Sequence, residues 1–288
     1  MMKDFGFQRP YLDYKDMLSK EDFDGVMVVT PHHLLKDAVI AAIEAGNNVF
    51  VEKPMATTMA EGIEIREAAK KAGVEVMVGF CVRYADGRML MKSLLDKGVV
   101  GEVVHVNAAK AGPPHALNTW QADPRRGGGQ LFWLGSHITD QVLWMVGSEV
   151  ERVYGEIFWH PKTGADQNSA YTMRFKNGVI ANVICSQNVG GGADFLEVMG
   201  SAGRIRADWP SNVVEVYSET MRDFNDPVTI RPKRLTNFEM YQAELTRWAE
   251  SLAQKTAPPM TVDDGINMLQ VLDAVFESGR TGKPVTLS

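Results

Sequence analysis

Apolar positions in the first third of the chain fall into short continuous runs separated by helical patterns. Gly25-Val26-Met27-Val28-Val29-Thr30 is stopped by Pro31, as expected of a strand buried on both faces. Leu35, Val39, Ala42 and Ile43 then recur on one helical face, and Gly46 sits where a helix cap belongs. Val49-Phe50-Val51 predicts a second strand, residues 58–72 a second helix ending at Gly73, and residues 74–80 a third strand. Alternating strands and helices with short links predict a parallel, Rossmann-like sheet with right-handed crossovers.

The pattern changes after about residue 120. Tyr171, Met173 and Phe175 alternate with Thr172, Arg174 and Lys176, which predicts a strand with one wet face. Asn177-Gly178 then leads into another strand pattern, a hairpin signal in which both turn residues must tolerate positive φ. Further strands are expected over residues 153–159, 195–199, 204–209 and 213–217, so this half is a largely antiparallel sheet. Two helices close the chain. Leu245, Trp248, Ala249 and Leu252 form the apolar face of the first. The second opens on the capping-box pattern Thr261-x-x-Asp264 and buries Met268, Val271, Leu272 and Val275. The fold class is α/β plus α+β, with a dinucleotide-binding-type domain over residues 1–105 and a substrate and oligomerisation domain over residues 106–288. The last helix is free to pack back on the first domain.

Composition narrows the function. The 288 residues are 45% hydrophobic and 23% charged, as in an ordinary globular protein. A net charge of −6 argues against nucleic acid or an anionic membrane surface as the main partner. No apolar run is long enough to span a bilayer, and residues 1–6 lack a secretory apolar core. Cys81 and Cys185 do not form a C-x-x-C pair, and the scattered histidines lack ligand spacing, so no metal is expected. The reading is cytoplasmic and metal-free, with a small-molecule substrate.

Three constellations carry candidate chemistry. Glu52-Lys53-Pro54 ends the second strand abruptly in charge, at the edge where open parallel sheets bind ligands. A partly desolvated lysine there can bond or deprotonate a hydroxyl; the plainer alternative is a surface ion pair. Gly127-Gly128-Gly129 leads into a helix carrying His137 and Asp140, three apart on one face. A carboxylate there would favour the charged imidazole and make it an acid/base; the alternative is a core polar contact. Thr30-Pro31-His32-His33 ends the neighbouring strand and could line the same crevice. Trp120, Trp209 and Trp248 read as core or interface aromatics, and Arg125-Arg126 as a solvated pair.

Taken together these segments resemble the Gfo/Idh/MocA family, named for glucose–fructose oxidoreductase, inositol dehydrogenase and a rhizopine-catabolism protein. The resemblance covers nearly the whole chain. Its most specific piece, residues 45–56 (AGNNVFVEKPMA), is close to that family's AGKHVLCEKPMA signature. Residues 30–33, 79–84, 98–103, 127–140 and 278–285 fall in the family order. The resemblance implies an NAD(P)-dependent oxidoreductase acting on sugars, polyols or cyclitols. Lys53 would sit between nicotinamide and substrate, with His137 as acid/base, Glu52 orienting the lysine and Pro54 shaping the turn. Thr30, Pro31 and His33, with Glu52, Lys53 and Pro54, would form the NAD or NADP side of the crevice. Arg83, Trp120 and Trp133 would face the substrate. Many members carry an aspartate four residues before the histidine. Trp133 stands there instead, leaving Asp140 or Lys53 alone to take the role, or the indole to stack on a sugar.

Measured against the family, the chain starts where the first βαβ unit has finished, without the G-x-G-x-x-G loop. The strand at residues 26–29 is then expected to have an unpaired apolar edge. Three explanations are open: a start further upstream, a shortened relative that covers its edge, or a fragment without catalysis. The functional alternative to the dehydrogenase is therefore a non-catalytic binding or structural relative. The open second sheet suggests a homo-oligomer.

Overall fold

The computed structural model describes residues 5–114, 116, 118–209, 211–220 and 226–287. A short helix, α1 (Tyr14–Lys20), starts at Asp13, whose carboxylate accepts the Lys15 N–H. There follow β1 (Gly25–Val28), α2 (His32–Glu44), β2 (Asn48–Glu52), α3 (Met59–Ala72) and β3 (Val76–Gly79). The three strands form a parallel sheet in the order β1-β2-β3. Val49, Phe50, Val51, Met77 and Val78 are all buried, so the apolar runs of β2 and β3 are those of strands covered on both faces; β1 departs from that expectation, with Met27 on an open face. Helix α2 buries Leu35, Val39, Ala42 and Ile43, the residues its spacing predicts, and Gly46 takes φ +80 just beyond its end. Helix α3 begins at Thr58, which accepts the Glu61 N–H, and stops at Gly73 in the left-handed conformation.

The two edges of this sheet differ. Beyond β3, Val78 donates to the Met260 carbonyl at 3.0 Å and Met77 bridges Thr261. Strand β1 pairs with β2 alone among the described residues, and Met27 and Val29 beside it are exposed. The apolar edge expected at residues 26–29 is therefore present.

After a 3₁₀ turn (Cys81–Tyr84) and α4 (Asp86–Asp96), strand β4 (Val103–Ala111) enters a second sheet. Its other strands are β5 (Val150–Trp159), β6 (Asp166–Phe175), β7 (Ile180–Ser186), β8 (Ala193–Gly200), β9 (Gly203–Asp208), β10 (Val213–Ser218), β11 (Val228–Ile230) and β12 (Val285–Thr286). The order is β11-β10-β9-β8-β4-β7-β6-β5-β12, antiparallel throughout except between β4 and β7. Tyr171, Met173 and Phe175 point inward, as their alternation predicts. The β6–β7 turn departs from expectation: Gly178 alone takes positive φ, while the Asn177 side chain accepts the Val179 N–H. A three-residue loop needs only one left-handed position, so both residues need not be permissive.

The inner face is covered by α5 (Ser136–Val146) and α7 (Val262–Thr281). Thr261 and Asp264 form the expected capping box, and Met268, Val271, Leu272 and Val275 are fully buried. Helix α6 (Asn237–Gln254) reaches the parallel sheet: Trp248 stands 5.6 Å from Phe50 and, with Leu252, fills the space over Gly25. Of its expected face, Trp248, Leu245 and Leu252 pack against the core and Ala249 does not. Met240, Glu244, Trp248 and Ser251 point inward while Ala249 is exposed, because a glutamate occupies a core position. No helix among the described residues is long and apolar enough to cross a membrane.

Candidate active site

Strand β2 ends at Glu52, and the following Lys53–Pro54 peptide is cis. The chain turns into the protein there, so Lys53 keeps only 9% of its surface while Pro54 is buried outside the cleft. The Lys53 Nζ donates to the Trp133 carbonyl at 2.7 Å and lies 4.9 Å from that residue's ring centre. Burial pulls the ammonium from 10.5 down to about 8, with Glu52 opposing and Lys110 assisting. Burial also raises the Glu52 carboxyl, whose Oε2 accepts the Lys53 backbone N–H at 3.2 Å.

The carbonyl that holds Lys53 belongs to a turn of π-helix, Leu131–Gly135, leading into α5. Wide turns of this kind interrupt the regular i→i+4 ladder and are frequent at functional sites. The glycines before it serve the protein itself. A Cβ on Gly128 would sit 2.6 Å from the Trp120 and Gln121 carbonyls. At Gly129 (φ +120) it would sit 2.0 Å from Asp166 Oδ1. Asp166 is buried and its Oδ2 accepts the Leu131 N–H at 2.6 Å, binding β6 to the start of the π turn. Gly129→Ala is accordingly expected to lower stability by about 3 kcal/mol or more, through strained φ and overpacking together, read as a fall in the urea midpoint.

His137 follows on α5. Its Nδ1 is buried without a partner, and burial, then the charges of Lys53 and Lys110, hold the imidazole well below 6.5. It is neutral at pH 7. The expected carboxylate partner is elsewhere: Asp140 faces Arg83, accepting from Nε at 2.9 Å and from an Nη at 2.5 Å. Arg83 also bonds Asp264 at 2.9 Å and lies over the rings of Trp144 and Phe80. Two roles inferred from sequence are thereby corrected. Asp140 does not orient His137, and Arg83 does not line the cleft that holds Lys53 and His137. A buried guanidinium requires carboxylate partners, and this one takes both, beside a separate cavity of about 630 Å³.

Lys53 and His137 share a cleft of about 600 Å³ with Thr30, Pro31, Glu52, Trp120 and Trp133. The histidine of the first βα turn that lines it is His32, not His33. His32 heads α2, its Nδ1 is 2.7 Å from the Gly127 carbonyl, and it meets the Trp120 ring edge-on at 4.7 Å. Burial lowers it to about 4. His33 instead points toward Arg126, 3.4 Å away, because successive helical residues face different directions.

The cleft thus lies where β1 and β2 end and β4, β8 and the π turn face them. Residues 1–80 match the oxidoreductase family described as having an NAD-binding Rossmann fold, and residues 88–206 match the GFO/IDH/MocA C-terminal domain. The chain belongs to the Gfo/Idh/MocA family. Among its relatives are two proteins of Bacillus subtilis. The scyllo-inositol 2-dehydrogenase (NAD(+)) is 28% identical, with 99% of this chain aligned to 84% of that protein. The scyllo-inositol 2-dehydrogenase (NADP(+)) IolW is 26% identical over 91% of this chain and 78% of its own. Levoglucosan dehydrogenase, solved in complex with NADH and levoglucosan, superposes with a TM-score of 0.91 at 22% identity, over 99% of this chain and 86% of that one. That likeness is one of fold.

Within this Gfo/Idh/MocA cleft the structure adds residues that no sequence spacing signals. Lys110 from β4, Asp194 from β8, Trp209, and Asn237, Met240 and Tyr241 of α6 complete the wall. Trp209 thus lines the cleft, where its sequence setting suggests core or interface. A lysine near a strand end and an aspartate after a glycine run are ordinary locally; only the β4–β8 pairing, which sets Lys110 opposite Asp194, brings them together.

Proposed function

We propose that this chain is a dehydrogenase that moves a hydride between a hydroxyl-bearing carbon of a sugar, polyol or cyclitol and the nicotinamide of NAD or NADP. The observation that carries the reading is Lys53, buried at the end of a parallel strand and sharing a cleft with His137. These residues fit a nicotinamide: Thr30, Pro31, Glu52 and Lys53 offer it a wall at the strand ends, and His137 supplies a proton site still unsatisfied. The dinucleotide, when bound, supplies the hydride acceptor or donor.

The residues do the rest. In oxidation the substrate C–H leaves as hydride and the O–H proton passes to neutral His137. The Lys53 ammonium bonds the same oxygen and stabilises negative charge as it develops there. In reduction the flow reverses, and a depressed imidazolium gives up its proton readily. Trp133 supports Lys53 through its backbone carbonyl, which needs no acidic side chain. That favours catalysis over a binding-only relative.

Calorimetric titration with NADH and NADPH, then rates with myo-inositol and aldoses, tests the reading. Saturable one-site binding and Lys53-dependent turnover are expected; a folded protein that binds neither dinucleotide would refute it.

The same reading includes a cytoplasmic location and self-association through the nine-stranded sheet. Ile180 and Ile184 on β7 and Tyr154 and Phe158 on β5 are exposed on its outer face. Light scattering is expected to give at least a dimer, reduced to a monomer by Ile184→Lys.

A further inference from the structure

Outside the proton-handling pair, the cleft holds a charged group that the proposed chemistry does not use. Asp194 bonds two cations at once. Its Oδ1 accepts from Arg88 at 2.7 Å, and its Oδ2 pairs with the Lys110 ammonium. Arg88 is 2% exposed and spends another nitrogen on the Ala207 carbonyl at 2.7 Å, so it is sealed beneath the wall. Behind it, Arg206 and Asp208 face each other at 4.0 Å and cancel. Lys110, in contrast, lines the cleft with Lys53 and His137.

The charges do not balance. One carboxylate, Asp194, faces two basic side chains, Arg88 and Lys110, one more than it can neutralise. Across the cleft Lys53 is offset at most by Glu52. His32 and His137 are neutral at pH 7, and burial keeps Glu244, which underlies this wall, protonated. An uncompensated charge between low-dielectric walls is costly and draws in a counter-ion. An ammonium has three N–H donors, and Asp194 is the only carboxylate bonded to Lys110 among the described residues. The remaining donors are available to a ligand. Trp120, Trp133, Trp209 and Tyr241 line the same cleft and give it apolar surface for the carbon skeleton of a sugar.

We propose that Lys110 is a specificity-determining residue that binds a carboxylate of the substrate, so that the cleft takes a monoanionic sugar, a uronate or aldonate, in preference to a neutral one. The inference rests on the dehydrogenase reading of the same cleft and deepens it. With Lys53 set against Glu52, the one surplus charge at the Lys110–Asp194–Arg88 cluster matches a carboxylate better than a doubly charged phosphate. The carboxylate is an anchor and is chemically unchanged. The reacting centre is a separate hydroxyl-bearing carbon, whose O–H proton would pass to His137 and whose hydride the bound dinucleotide would accept.

Rates with NAD and NADP are measured on glucuronate, galacturonate and gluconate, and on glucose, myo-inositol and glucose 6-phosphate, for the wild type, Lys110→Met and Lys110→Arg. The expected result is a higher kcat/KM for a carboxylated sugar. In Lys110→Met that preference shrinks by about 10- to 100-fold, mostly through KM, as loss of one charge-assisted bond implies; Lys110→Arg recovers part of it. Asp194 keeps Arg88 in both variants, and circular dichroism verifies folding. Preference for neutral sugars in the wild type, or an equal loss on every substrate in Lys110→Met, overturns the role of Lys110 while the dehydrogenase reading stands. Preference for the phosphate overturns the carboxylate. Binding of dinucleotide without turnover of any of these sugars overturns both readings.

Discussion

Lys53→Met is expected to lower kcat by about a thousand-fold or more while leaving the protein folded and able to bind dinucleotide within a few-fold of the wild type. Loss of one preorganised donor at a developing oxyanion costs about 10²- to 10³-fold, and this donor also carries a full charge, whose loss leaves His137 to take the proton unaided. Methionine fills similar volume, so the loss is chemical; the folding cost is confined to the lost hydrogen bond to the Trp133 carbonyl, about 1 kcal/mol. Arginine would keep the charge but not the compact ammonium that fits beside the Trp133 carbonyl, so Lys53→Arg should not rescue. Single-turnover rates and calorimetry read the two quantities separately. Wild-type turnover in Lys53→Met would remove this residue from the mechanism. Equal loss of turnover and dinucleotide binding would make it a binding residue instead.

The second large effect is on stability. Glu244 has no exposed surface, and neither carboxylate oxygen has a partner. Burial first, then the charges of Glu52 and Asp140, raise it from 4.5 to about 9. The folded chain therefore holds a proton that the unfolded chain releases above about 4.5. Unfolding releases that proton throughout this window, so stability is greatest below 4.5 and falls as pH rises toward 9. A tenfold difference in proton affinity between the folded and unfolded chain is worth about 1.4 kcal/mol, which makes the loss several kcal/mol by pH 8. Glu244→Gln keeps the shape without the titration. It should gain on the order of 3 kcal/mol or more at pH 8 over the wild type, with little change at pH 4.5. Urea unfolding across this range measures it; parallel profiles for both proteins would show that Glu244 does not drive the dependence.

Both predictions sit where sequence and tertiary structure divide. Lys53 was legible because the charged pair Glu52-Lys53 that follows Val49-Phe50-Val51 must lie at a strand's end. Glu244 was not, because the helical pattern around Trp248 is completed in sequence by Ala249, which is exposed, and a glutamate is ordinarily placed in solvent. The same contrast holds for His137 and Asp140. Spacing on one helix put both near the crevice, but the direction of Asp140 depends on Arg83, which arrives from a turn 57 residues earlier. The glycine run was visible as a place of close approach, yet the partners it approaches, Asp166 and the carbonyls near Trp120, are set by folding.

Local pattern was enough for the strand–helix alternation, the parallel sheet, the one-sided antiparallel sheet, the helix caps, and the place of Lys53 at a strand's end. These depend on local periodicity and on residues adjacent in the chain, where hydrophobic burial and backbone hydrogen bonding leave little choice. Tertiary structure alone decided that His32 rather than His33 lines the cleft and that Arg83 is consumed by Asp140 and Asp264. It also decided that a backbone carbonyl supports Lys53, and that Lys110 and Asp194 meet across β4 and β8. Those outcomes are competitions among distant polar groups for a few buried partners, and the winner is set by distance in the folded chain rather than by spacing along it.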